Sequence, residues 1–249
     1  MDFFIHYRPL PKAHRRFLGW FLPLVVGLAV LLGLLVPTLQ NQYGAGSRQP
    51  IKQLTGLLLN GPGGAQLLVP RPGQTTGHSH YSRILLAGPG KSSPPDSVMQ
   101  YQGQWVRLQG SLFSHGALSV MNTRQAQPIP QPADLSAPDL EGISLGSFKL
   151  VGEIIDSKCF SGVMKPGAGK THMGCAIRCI SGGVPVVFHV HNSAGEVLDL
   201  VLIDQEGNPV NDRVLDVVAQ AVAIEGEVIE YDNLMALKSD PSTYRLLNG

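Results

Sequence analysis

The chain has 249 residues, a mass of 26.7 kDa and a formal net charge of +1, with 15% charged and 43% hydrophobic residues. That length allows one large domain or two small ones. The even charge balance leaves no surplus to neutralise a phosphate backbone, and 6% aromatic content offers few rings for base stacking, so no nucleic-acid partner is expected.

Residues 1–16 carry Arg8, Lys12, Arg15 and Arg16 against Asp2 and form a short tail. Residues 17–39 are uncharged and rich in Leu and Val, long enough as a helix to cross a hydrocarbon core of about 30 Å. A cleaved signal peptide is the alternative, with Gly44-Ala45-Gly46 as the cut, but its apolar core is normally about 7–15 residues. The basic flank precedes the span, so a cytoplasmic N-terminus and an extracytoplasmic C-terminal part are expected. The chain then sits in the plasma (inner) membrane, single-pass, through its own helix.

Beyond the span, 50–121 reads as a first β domain, 122–147 as a Pro-rich linker and 148–249 as a second β domain. The two domains carry a weak repeat. Leu54-Thr-Gly56-Leu-Leu58 matches Leu150-Val-Gly152-Glu-Ile154 at an offset of 96. Val106 to Leu112, with Gly110 in mid-run, matches Val222 to Val228, with Gly226 in mid-run, at an offset of 116. Alternating apolar residues make these strands. Asn208-Pro209, followed by Val210, Val214, Val217, Val218 and Ala221, predicts one helix in the second domain. Strands with central glycines and a helix before the last two resemble an OB-type barrel. The fold class expected is therefore mainly β, with one N-terminal transmembrane helix and two small OB-like barrels. A sandwich of eight to ten strands fits the same pattern.

The second domain is longer between its first two strands, and all three cysteines lie there: Cys159, Cys175 and Cys179, with His172 between them. Several chemistries fit. Three thiolates and an imidazole, spaced C-x12-H-x2-C-x3-C, make a tetrahedral set for zinc; Met164 and Met173 add thioethers that suit copper(I). In an oxidising compartment Cys159 could pair with Cys175 or Cys179 as a staple, and Lys158, Lys170 and Arg178 would favour thiolate. Cys175 or Cys179 with His172 could act as a nucleophile, oriented by Asp156. Gly162, Pro166, Gly167 and Gly169 make the segment after Cys159 a turning loop, so the four side chains are expected to converge whatever their chemistry.

Lys170-Thr-His172-Met-Gly-Cys175 resembles the first ligand box of Rieske proteins, yet Lys170 stands where a ligand Cys is needed and no second Cys/His pair follows. Gly167-Ala-Gly169-Lys170-Thr171 is not a phosphate loop, because Met164 occupies the first Gly position. The whole box, Asp156-Ser-Lys-Cys159, then Gly162-Val-Met-Lys-Pro-Gly167, then His172 to Pro185, resembles one in uncharacterised membrane-anchored bacterial envelope proteins. That resemblance implies an envelope location and carries no activity.

His189-Val-His191 shares one side of a strand and reads as a solvated face, though it follows the box closely enough to supply a ligand. His78 and His80 read as surface, Lys91 to Asp96 as a turn, and Glu225, Glu227, Glu230 and Asp232 as a solvent face. The function expected first is a non-enzymatic accessory protein, partnered by a membrane or envelope protein, whose box serves metal binding or a disulfide in a redox or metal-handling system. A thiol-dependent enzyme and a stapled scaffold are the alternatives.

Overall fold

Strand β1 (Ser47–Gly61) pairs antiparallel with β4 (Trp105–His115) so that Gly56 faces Val106. Strand β6 (Ile143–Asp156) pairs with β9 (Ala221–Tyr231) so that Gly152 faces Val222. The repeat in the sequence is thus a repeat in register. The computed structural model describes residues 10–40, 46–71, 80–133, 135, 138, 140–192 and 194–247. The tail before Leu10, Gly44, Ala45 and His78 lie outside the described residues.

Lys12–Gln40 is a single helix, α1, long and apolar enough to cross a membrane. Its large apolar side chains are exposed all round, as suits a helix solvated by lipid. It starts earlier than the expected span and includes Lys12, Arg15 and Arg16. Pro37 has no N–H to give, and in the same turn Thr38 Oγ1 donates to the Leu35 carbonyl at 2.7 Å.

The remaining strands are β2 (Gly64–Pro70), β3 (Tyr81–Ala87), β5 (Leu118–Pro128), β7 (Val186–His191), β8 (Val197–Ile203), β10 (Leu234–Lys238) and the short β11 (Arg245–Leu246). The first barrel closes in the order β1-β2-β3-β5-β4. The second closes in the matching order β6-β7-β8-β10-β9, with β11 added to β9. In each, the third and fifth strands are the parallel pair. This is the OB-like circuit twice over, and the sandwich alternative is excluded.

The glycines permit the curvature. A Cβ at Gly56 would run into the Leu68 carbonyl, and one at Gly152 into the His189 carbonyl. A Cβ at Gly110 would meet the Asn122 carbonyl and one at Gly226 the Lys238 carbonyl, positions again 116 apart. Small barrels press neighbouring strands this closely where the sheet coils.

Two expectations need correction. The linker is shorter than 122–147: residues up to Pro128 complete β5, with Thr123 fully buried, and Ile143 already begins β6. The Pro residues suggested an unpaired chain, but Pro128 sits at the strand's end, where a missing N–H costs little. The helix expected after Asn208 is also absent. Two 3-10 turns, Asn211–Arg213 and Leu215–Val217, stand there instead. Pro209 bridges to Ile203 and Val218 to Ile154, so both ends are drawn into β pairing. The buried β-branched Val210, Val214 and Val218 disfavour a helix as well. The helix of the second barrel is Met173–Ser181, α3, within the cysteine box. A short helix, α2 (Asp96–Met99), lies between β3 and β4 of the first barrel.

Residues 43–249 form one compact unit. Each barrel has its own core, around Leu58, Leu86 and Leu108 in the first and Ile154, Phe188 and Ile224 in the second. A third core lies in the seam, where Leu85, Ala87, Leu118 and Val120 meet Ile155, Val187, Val201, Leu234 and Ala236. Cys159 and Cys179 belong to this seam. A buried ion pair crosses it, with Arg83 Nε 2.6 Å from Asp232 Oδ2. Asp232 therefore turns inward, which corrects its reading as a solvent-facing carboxylate.

Candidate functional site

The box starts where β6 ends. Asp156 is fully buried, and the chain then makes a π turn, Cys159–Val163, kinked at Gly162 with φ 135°. The loop folds back until Gly167 touches the backbone of Cys159 and Phe160, where a Cβ would not fit. It delivers His172 to the N-terminus of α3. Cys175 and Cys179 follow at i and i+4 on one helix face. The neighbouring face, through Ala176 and Ile180, packs on the core of the second barrel.

Among the described residues, the expected side chains gather about Cys159 in two overlapping groups of three rather than as one set of four. Cys159 Sγ lies 3.8 Å from Cys175 Sγ and 3.7 Å from Cys179 Sγ, and all three are free thiols. Among the described residues, the metal-type donors of Cys159, His172 and Cys175 lie within 4.8 Å of one another, as do those of Asp156, Cys159 and Cys179. Cys159 is common to both groups. Asp156 organises the site with both oxygens. Oδ1 accepts from the Cys159 backbone N–H at 2.8 Å, and Oδ2 holds His172 Nε2 at 3.0 Å. That leaves Nδ1 as the free nitrogen of a buried imidazole.

The charges at the site come partly from the other barrel. Lys91 Nζ lies 2.6 Å from Cys175 Sγ and 3.8 Å from Cys179 Sγ. This contact holds the Lys91 pKa above its ordinary value. Its loop is locked against α3 by Ser93, whose N–H donates to the Gly182 carbonyl at 2.7 Å. Lys158 points the other way. The residue is buried, its ammonium donates to the Gly88 and Gly90 carbonyls at 2.6 and 2.8 Å, and burial pulls its pKa down. The hydrogen bond between Cys159 and Cys179 splits those two thiols. Together with burial it drives the Cys159 pKa up, while it lowers that of Cys179.

Lys91 is the residue that the sequence reading missed, 84 positions from Cys175. The turn containing it was legible, but no local pattern marks what a turn will touch. The thioethers do not join the sulfurs. Met173 packs against the second barrel's core, and Met164 is exposed. His189 is not on a solvated face, which corrects that expectation. It is buried, its Nδ1 is 2.6 Å from Asp199 Oδ1, and the Phe160 ring packs on it at 4.7 Å. Phe160 also meets His115 at 4.5 Å. His191 stacks edge-on to His189 at 4.2 Å, and burial and that neighbour lower its pKa. These histidines form a separate group around the Phe160 ring.

No family model and no curated protein matches the chain. Two solved structures similar to it are single-stranded DNA binding proteins from Thermus aquaticus, a deletion mutant and the wild type. They are 9% and 10% identical, with TM-scores of 0.23 and 0.22. Each match covers 81% of this chain, and 96% and 94% of theirs. These matches correct the exclusion of nucleic acid drawn from composition. What those proteins bind is a property of theirs, and a likeness at such scores assigns no ligand here.

Proposed function

We propose that this chain is a membrane-tethered, extracytoplasmic zinc protein, with Cys159, His172, Cys175 and Cys179 as the ligands, serving a membrane redox or metal-handling system as an accessory subunit. The observation that carries this is the spacing of the sulfurs about Cys159, 3.7 and 3.8 Å. A tetrahedral ion with metal–sulfur bonds of about 2.3 Å separates its sulfurs by about 3.8 Å. A zinc-bound imidazole usually gives its other nitrogen to a carboxylate, and Asp156 stands in that place for His172. Lys91 would offset part of the charge of the ligand thiolates. With neither thioether in the cluster, the donor set is that of zinc, and copper(I) is the competing ion for the test.

The orientation rests on Lys12, Arg15 and Arg16 at the start of α1, which would hold that end in the cytoplasm. A reporter active only outside the cytoplasm, fused after residue 249, should be active. Cobalt(II) added to the metal-free protein should give intense sulfur-to-metal absorption and tetrahedral ligand-field bands, lost in Cys159→Ser. Octahedral, weakly absorbing cobalt would refute the thiolate site.

A further inference from the structure

The three sulfurs are not equivalent, and their differences suit an oxidative step. Cys159 and Cys179 are buried in the seam, whereas Cys175 is partly exposed. Cys175 is also the sulfur in contact with the Lys91 ammonium, at 2.6 Å. A second sulfur, Cys159, waits 3.8 Å behind it. A partly exposed sulfur beside a cation, with a second thiol in reach, is the arrangement of thiols that react with peroxides.

We infer that Cys175 is a site of oxidation by hydroperoxides, with Lys91 as its positioning residue and Cys159 as the resolving thiol. The inference stands whether or not an ion is bound. In the first step the Cys175 thiolate attacks one peroxide oxygen. The S–O bond forms, the O–O bond breaks, and the leaving hydroxide takes a proton to become water. In the second step Cys159 attacks the sulfenic sulfur. The S–S bond forms, the S–O bond breaks, and hydroxide leaves with the Cys159 proton as a second water. Two thiols and one hydrogen peroxide thus give one disulfide and two waters. Where zinc is bound, the step removes two of its ligands and releases it.

The test uses the full chain in detergent, in metal-stripped and zinc-loaded forms, with hydrogen peroxide and peptide mapping after alkylation. The stripped wild type should lose two thiols per chain and yield a Cys159–Cys175 link, with Cys179 still alkylated. Cys159→Ser should stop at a sulfenic acid on Cys175, trapped by dimedone. Lys91→Met should slow the reaction about tenfold, and Lys91→Arg should keep most of the rate. The wild-type mapping needs no variant to fold. A first product linking Cys159 to Cys179, or survival of all three thiols in the stripped form, would overturn the inference. A chain that forms the Cys159–Cys175 link but retains no zinc would sink the metal reading alone.

Discussion

Asp156 and His172 form a buried pair, Oδ2 to Nε2 at 3.0 Å, with both side chains at most 2% exposed. The pair ties the end of β6 to the start of α3 and fixes which ring nitrogen remains free. Burying an ionisable pair so completely is costly unless each group is satisfied, and Asp156 is satisfied twice, by His172 and by the Cys159 N–H.

Asp156→Asn should therefore weaken zinc binding about 10–100-fold while leaving the fold intact, because an amide holds the imidazole less well. Competition against a chromophoric chelator measures this. Unchanged affinity would show that Asp156 is only a structural buttress.

The repeated glycines make a second prediction. Gly110→Ala and Gly226→Ala place a methyl group against a carbonyl of the neighbouring strand, and each should cost about 1–3 kcal/mol. Gly174→Ala, at an exposed position of α3 with nothing near its Cβ, should instead gain up to about 1 kcal/mol. Denaturant titration of the three variants gives the comparison. Equal effects at all three would contradict the strand-crowding account.

A third prediction concerns the seam. Asp232→Asn leaves the Arg83 guanidinium, 1% exposed, without its carboxylate and should destabilise by about 3–5 kcal/mol. The Arg83 ring contact with Tyr231, at 5.2 Å, does not replace that charge. Calorimetry should show one transition moving down as a whole, since the barrels share a core. Two separated transitions would mean that the barrels unfold independently.

The fourth is a pH dependence. Burial pushes the Tyr244 phenol from 10.0 up to about 12. Above pH 10 the unfolded chain releases this proton and the folded chain keeps it. The stabilising contribution is thus complete below about pH 10 and is lost as pH rises towards 12. Tyr244→Phe should flatten the fall in melting temperature across that window, although it forfeits the 2.8 Å bond to Ser239 at neutral pH. An alkaline limb identical to that of the wild type would disprove the linkage.

The barrels were legible in the sequence because their cause is local. Gly56 and Gly152, or Gly110 and Gly226, mark strands that bend, and alternation around them marks the buried face. The convergence of the box was legible for the same reason, since Gly162 and Gly167 must turn the chain after Cys159. The seam was not legible. Lys91 meets Cys175, and Arg83 meets Asp232, only because two closed barrels lie side by side, and neither pair leaves a periodic trace. The valines after Pro209 misled for a related reason. Helical spacing of Val210, Val214 and Val218 records which side is buried, while bridges to Ile203 and Ile154 decide the backbone.

The central claim is that one zinc ion gathers the box, and X-ray absorption at the zinc edge of the full chain tests it most directly. The account predicts a first shell of three sulfurs at about 2.3 Å and one nitrogen at about 2.0–2.1 Å, with the sulfur count falling by one in Cys175→Ser. A shell of nitrogen and oxygen alone, unchanged by that substitution, would contradict it.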